Sequence, residues 1–472
     1  MKNPLIKIPQ LRGFRTTERK IIQCTPSPHR TRTVYQGADL RNRKEERELA
    51  RVYVEVFGCS ANRADSEMVR GLLLEAGHTI APKPQAADAS VVLTCTVKTP
   101  TEKRVIKRIR RLSEGGAPLV VASCMPKAQR ELVAETAPQA RQVGPDNILD
   151  IVDAVEAAIR GSRVEALKGG DPDRTCLPRV RTNPVIHIAP IASGCPGDCS
   201  YCIVKRARGD LSAFPPEGII EDARRALEEG CREIWLTTED TAAYRRGSVR
   251  LPQLLEGLSG LEGRFFIRVG MMTPSQVTPI LEELVETFGS ERVYKFLHLP
   301  LQSGNDEILA RMKRHYTVEN FLHIVESFRE AFPMLTLSTD VICGFPGETE
   351  EQFEDSLKIV EAVVPDVLNI SRFWPRPGTE AAGMEEQLHG RETKERSRRL
   401  SSLWRRLGLE GSQRWVGWEG EVLVDEEGKD GGVVGRNYAY KPVALSEPLR
   451  MGDFARVRVT EARRGYLLGE TT

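Results

Sequence analysis

The stretch ASGCPGDCSYC, residues 192–202, sets Cys195, Cys199 and Cys202 in a C-x3-C-x2-C spacing. Three thiolates on one loop can bind three irons of a 4Fe–4S cubane, which leaves the fourth iron without a protein ligand. An open iron is a place for chemistry and is unwanted in a simple electron carrier. Two plainer readings compete. Structural zinc takes four ligands, usually from repeated C-x2-C pairs, and no second pair occurs in this sequence. A redox C-x-x-C formed by Cys199 and Cys202 leaves Cys195 unexplained.

The elements around this loop repeat. A strand pattern at 185–192 leads into it, and five more follow at 233–238, 265–270, 294–301, 335–343 and 367–374. Amphipathic helical patterns fill the gaps, as at 216–229, 278–288, 318–332 and 350–363. Six βα units are two short of a closed eight-stranded barrel, so an open, partial (β/α)6 barrel is expected. Upstream, strand patterns at 51–58, 89–94 and 118–123 alternate with helical ones at 63–76, 101–112 and 147–159, which predicts a parallel βαβ domain. The fold class is α/β.

Three further cysteines fall at the ends of those upstream strands. Cys59 comes just after RVYVEVF, Cys95 ends ASVVLTC, and Cys124 ends PLVVASC. In a parallel sheet all strand carboxyl ends share one edge, where ligands gather. A lone strand-end cysteine reads as a small buried hydrophobe. Three out of three in one unit point instead to a second cluster, again with one iron open. Cys231 and Cys343 read as packing, and Cys24 and Cys176 fall in segments without predicted structure.

A charged helical pattern at 391–409 precedes five short strand patterns, at 419–425, 432–438, 441–446, 454–460 and 465–468. Gly-rich turns separate them, as in a small β-barrel. The organisation expected is a basic extension (1–50), a cluster-bearing domain (51–160), a linker (161–184), the partial barrel (185–410) and the β-barrel (411–472).

Across 472 residues, 68 basic side chains against 66 acidic ones give no global signal for a polyanionic partner. Residues 1–50 are locally basic, with twelve Lys/Arg against five Asp/Glu. Such a segment suits either an approach to RNA or plain solvation. No run of eighteen apolar residues exists to span a membrane, and the N-terminus lacks the apolar stretch of a secretory signal. A cytoplasmic protein is expected.

With the motif and its barrel together, the chain resembles the radical S-adenosylmethionine (SAM) superfamily. That resemblance implies that SAM chelates the open iron through its amino and carboxylate groups. One electron then cleaves it to a 5′-deoxyadenosyl radical. Tyr201 stands where the superfamily places an aromatic beside the adenine. The segment TTED (237–240), with Thr238 and Glu239, stands where the SAM amino group is held. Arg311, Lys313 and Arg314 are candidates for its carboxylate or for a solvated helix face. Asp340 and residues 344–347 fall on the same catalytic edge.

The segments GCSANRADSE (58–67), LTCTVKTPTEKR (93–104) and SCMP (123–126) resemble the three cluster-binding segments of the methylthiotransferases. IVKRARGDLSAFPPE (203–217), HLPLQSGNDEIL (298–309), STDVICGFPGETEEQF (338–353) and FWPRPGTEAA (373–382) match in order, and the β-barrel matches the family's RNA-binding TRAM module. The resemblance implies two 4Fe–4S clusters, one at Cys59/Cys95/Cys124 and one at Cys195/Cys199/Cys202. It also implies SAM, an electron donor and a tRNA substrate. Three substrate branches are known: isopentenyladenosine in tRNA, threonylcarbamoyladenosine in tRNA, and an aspartate of a ribosomal protein. EIWLTTEDTAAY (233–244) followed by LPQLL (251–255) is most similar to the archaeal and eukaryotic threonylcarbamoyladenosine enzymes. These modify C2 of the base at position 37. They usually read AYG where this chain has Tyr244, Arg245 and Arg246. A non-catalytic iron–sulfur protein that binds RNA is the alternative of a different class.

Arg391–Arg399 with Arg405 and Arg406 form a locally basic helix that suits either RNA or a solvated face, and Trp418, Tyr438, Tyr440 and Tyr466 alternating with Arg436, Lys441 and Arg458 form a surface suited to unpaired bases and phosphates.

Overall fold

The computed structural model describes residues 49–162, 164–170 and 173–472. Apart from Leu49 and Ala50, the basic segment expected at 1–50 lies outside the described residues.

Every residue of Ala89–Thr94 is buried, so this strand reads as a continuous apolar run, as a central parallel strand must. It pairs in parallel with Arg51–Val56 on one side and with Leu119–Ser123 on the other. Thr79–Ile80, Arg141–Val143 and Glu165–Ala166 extend the sheet to six strands. Those three were not anticipated, because two or three residues cannot display an alternation. Val52, Val54, Val91 and Leu93 face the helices Ser60–Glu75 and Ile151–Ile159. Val92 and Val121 point the other way, to Val105 and Ile109 of the helix Thr99–Glu114.

The helix Ser60–Glu75 is covered on both sides. Its core is shared with Ile186 and Ile188 on the first barrel strand, Ile186–Pro190. The segment expected as a linker is pinned to the same helix. Val180 N–H donates to the Glu67 carbonyl at 2.9 Å, and Thr182 N–H to the Glu67 carboxylate at 3.0 Å. Arg174 pairs with Asp65 at 2.8 Å, both buried.

The six barrel strands are observed where the repeat places them. Ile186–Pro190, Glu233–Thr237 and Phe266–Arg268 form one parallel sheet, and Phe296–His298, Thr336–Cys343 and Val367–Arg372 form another. A parallel bridge between Ile267 and Val293 joins the two. Ile234, Leu236, Ile267, Val269, Leu297, Leu337 and Val341 pack outward against the surrounding helices. By the two-residue period of a strand, Trp235, Thr237, Arg268, His298 and Asp340 face the barrel interior. Cys231 and Cys343 are buried.

Helix Gly390–Gln413 leads to a closed five-stranded barrel built on Trp415, Val422, Val424 and Val457. Several residues expected to meet RNA are spent at its junction with the partial barrel. Tyr440 packs on Trp235, Tyr294 and Phe296, and Lys441 pairs with the buried Asp366 at 2.8 Å. Part of the basic helix is likewise neutralised. Arg396 is buried against Glu348 at 2.8 Å, and Arg399 and Arg406 pair with barrel acids. Among the described residues, no helix is long and apolar enough to cross a membrane.

Candidate active site

Cys59, Cys95 and Cys124 follow three adjacent parallel strands, so the topology delivers all three to one edge. Cys59 precedes the first turn of Ser60–Glu75, Cys95 comes directly after Thr94, and Cys124 opens the short helix Cys124–Ala128. Gly58 makes the approach possible. Its φ is +114°, and a Cβ there would lie 2.7 Å from the Cys95 Cβ. Asn62 ties the three strand ends together. Its amide donates to the carbonyls of Phe57 at 2.7 Å and Thr94 at 2.8 Å. Its oxygen accepts from the Ser123 hydroxyl at 3.0 Å and from Arg208 at 2.8 Å.

The second triplet sits on the loop after the first barrel strand. Cys195 N–H donates to the Gly209 carbonyl at 3.2 Å. Ser200 is held from both sides, its N–H on the Met312 carbonyl and its hydroxyl on the Arg311 carbonyl. Arg314 donates to Cys199 Sγ at 3.2 Å.

The two triplets open into one space. A cavity of about 520 Å³ is lined by Cys59, Cys95, Cys124, Cys195, Cys199 and Cys202 together with Tyr201, Thr238, Glu239 and Asp340. Two of the three basic candidates for the SAM carboxylate lie elsewhere. Arg311 pairs with Glu386 and Lys313 with Glu380 at the surface, and only Arg314 reaches the cavity.

The donor set fits iron–sulfur clusters, since soft thiolates select them. Among the described residues, no three His, Cys, Asp or Glu side chains are gathered as for a single metal ion. Each cysteine of a cubane ligates its own iron, so the triplets need not converge on one point. Burial pushes the Cys59 and Cys195 thiols up to about 11 and the Cys202 thiol to about 12, and it raises Cys95 as well. Arg208 opposes the shift at Cys59. These thiols keep their protons at neutral pH until a metal displaces them.

The cavity wall also fits a zwitterionic ligand. Thr238 Oγ1, Glu239 Oε2, Gln302 Oε1 and Arg314 Nη2 are buried without a hydrogen-bond partner. Buried polar atoms rarely stay unpaired unless something absent from the protein pairs with them. The oxygens suit an ammonium and the guanidinium suits a carboxylate. Tyr201 lies against the apolar group of Phe345 and Phe373. Asp340 accepts from His298 Nε2 at 2.6 Å.

Sequence reading missed two arginines that assemble this site. Arg208 is buried, pairs with Asp65 and Glu239 at 3.1 Å each, and so links the first helix to the TTED segment. Arg376 is buried too. It donates to Thr96 and Thr99 at 3.0 Å each and pairs with Glu102, fastening the loop after the last barrel strand to the segment after Cys95. Both lie inside quoted motifs, but only the folded chain shows what they reach.

Family models match in the same three places. Residues 51–144 match Uncharacterized protein family UPF0004, 190–360 the Radical SAM superfamily, and 413–472 the TRAM domain. A "Probable threonylcarbamoyladenosine tRNA methylthiotransferase" of Pyrococcus horikoshii is 42% identical over 89% of this chain and 99% of its own length. The chain belongs to the threonylcarbamoyladenosine tRNA methylthiotransferase family. A family member from Xenopus laevis is 37% identical, over 89% of this chain and 77% of its own length. A radical SAM methyltransferase from Kitasatospora setae, solved with cobalamin and a [4Fe-4S] cluster, shares the fold at a TM-score of 0.53 and 14% identity. It covers 71% of this chain and 77% of its own. As a radical SAM methylthiotransferase, the chain uses SAM and two 4Fe–4S clusters, and each of the two matched units carries one cysteine triplet.

Proposed function

We propose that this chain transfers a methylthio group to C2 of N6-threonylcarbamoyladenosine at position 37 of tRNA. The observation that carries the reading is the single cavity on which both cysteine triplets open. A reaction that joins sulfur to an unactivated carbon needs its two reagents side by side, and one cavity with two sets of ligands meets that need.

Cys195, Cys199 and Cys202 would hold one cluster, and Cys59, Cys95 and Cys124 the other. When bound, the clusters and SAM supply the one-electron chemistry and the sulfur that no side chain provides. The protein positions. Glu239, fixed by Arg208, and Thr238 offer oxygens to an ammonium, and Arg314 offers its unspent nitrogen to a carboxylate. Ile342, Phe373 and Trp374 line the same cavity and limit water beside the reacting atoms.

The test is nucleoside mass spectrometry of tRNA from a host lacking the modification. Expression of this chain is expected to convert threonylcarbamoyladenosine to its 2-methylthio derivative. Conversion of isopentenyladenosine alone, or of a ribosomal protein alone, would overturn the substrate. Alanine at Cys195, Cys199 or Cys202 is expected to abolish SAM cleavage. Alanine at Cys59, Cys95 or Cys124 is expected to spare some cleavage and stop sulfur insertion.

A further inference from the structure

Arg268 lies on the third barrel strand, in register with Trp235 of the second. Its guanidinium carbon is 5.1 Å from the Trp235 ring centre, 4.9 Å from Phe296 and 5.1 Å from Tyr440. All three distances fall within the range of about 6 Å over which an aromatic face attracts a cation. The cage orients the charge without neutralising it. Among the described residues Arg268 forms no ion pair, and its buried Nε has no hydrogen-bond partner.

The acids that share the barrel interior are engaged elsewhere. Asp340 accepts from His298 at 2.6 Å, and Glu233 accepts from Trp235 and Tyr294. Yet Arg268 lines the cavity that holds the six cysteines. A half-buried guanidinium that acts on Glu233 only through space, with no ion pair of its own, is open to an anion that a ligand brings. The SAM carboxylate has another partner available, Arg314, which touches Cys199. Arg268 is left for a second anion.

We propose that Arg268 receives the threonyl carboxylate of the target nucleoside. This rests on the substrate reading above and gives it a residue. The planar fork of arginine matches a carboxylate with two parallel hydrogen bonds. An isopentenyl group offers it nothing, so a nucleoside of that kind would leave the half-buried cation unpaired. Arg268 is thereby a specificity determinant as well as a binding residue.

The test compares holoenzyme kcat/KM on two tRNAs, one with threonylcarbamoyladenosine and one with the threonyl carboxylate replaced by a carboxamide. Wild type is expected to favour the carboxylate. R268M is expected to lower kcat/KM on the carboxylate tRNA by about 30-fold or more, the scale for breaking a buried charge pair. It should leave the carboxamide tRNA nearly unaffected, so that the preference collapses. R268K, with the charge but no fork, is expected to fall between, and it decides the matter where R268M loses iron. A preference unchanged in both variants overturns the assignment. So does a loss of SAM affinity in step with activity, which would give Arg268 to the cofactor. A wild-type enzyme inactive on both tRNAs overturns the substrate reading itself.

Discussion

At the scale of single residues, Asn62 does the most for its size. Four hydrogen bonds converge on one amide and fix the ends of the strands that carry Cys59, Cys95 and Cys124. Asn62→Ala takes their partner from two carbonyls and a hydroxyl, and each buried group so orphaned costs about 1–3 kcal/mol. The variant is expected to fall to about four irons per chain, with SAM cleavage kept at the other triplet. Iron analysis beside a cleavage assay checks this; about eight irons in the variant would refute it. The thiols make a second prediction. Since burial holds Cys59, Cys95, Cys195 and Cys202 protonated at neutral pH, loading the clusters must release protons. Anaerobic reconstitution is therefore expected to weaken as pH falls from 8.5 to 6.5, and proton uptake or none on loading would contradict it. The sequence displays the thiols and not Asn62, because an amide inside GCSANRADSE looks like any polar helix residue.

At the scale of elements, what was legible is what periodicity encodes. The six barrel strands and the three long strands of the first sheet announce themselves by apolar runs, and the cysteines become meaningful once placed at the strand ends. Arg141–Val143 escaped because a three-residue strand with two polar side chains leaves no pattern. The 161–184 stretch escaped differently. Its Gly, Asp and Pro content reads as loose chain, yet Arg174 and Val180 fasten it to Ser60–Glu75 through pairings that no local rule predicts. Arg268 carried no signal at all, since one arginine on a short strand has no period. Arg376 belongs to the same class and bears a testable weight. It is the buried partner of Glu102 across the two domains. Arg376→Met strands that carboxylate, a loss of about 3–5 kcal/mol, while Arg376→Met with Glu102→Gln removes both charges. The double variant is expected to recover part of the denaturation midpoint lost by the single one. Equal midpoints for the two would mean that the carboxylate left behind carries no penalty.

At the scale of the whole molecule, the partial barrel is closed from two directions. The first domain covers its catalytic edge, and the C-terminal barrel plugs its base with Tyr440. That plug encloses Glu233 of the second barrel strand next to Asp425 and Arg436 of the C-terminal barrel. Burial, with the Asp425 charge acting in the same sense, pushes the Glu233 carboxyl from 4.5 up to about 8. The sign follows from proton counting. Between those two values the folded chain holds a proton that the unfolded chain has lost, so stability falls as pH rises through the window. Below 4.5 both states are protonated and the contribution vanishes. Glu233→Gln keeps an acceptor for the Trp235 indole and abolishes the titration. The wild type is expected to lose thermal midpoint relative to Glu233→Gln steadily from pH 5 to pH 8, and the two should converge near pH 4.5. Parallel midpoints across that range would show Glu233 to be ionised within the fold. The junction between the catalytic barrel and its C-terminal partner would then be held by charge rather than by a neutral hydrogen-bonded acid.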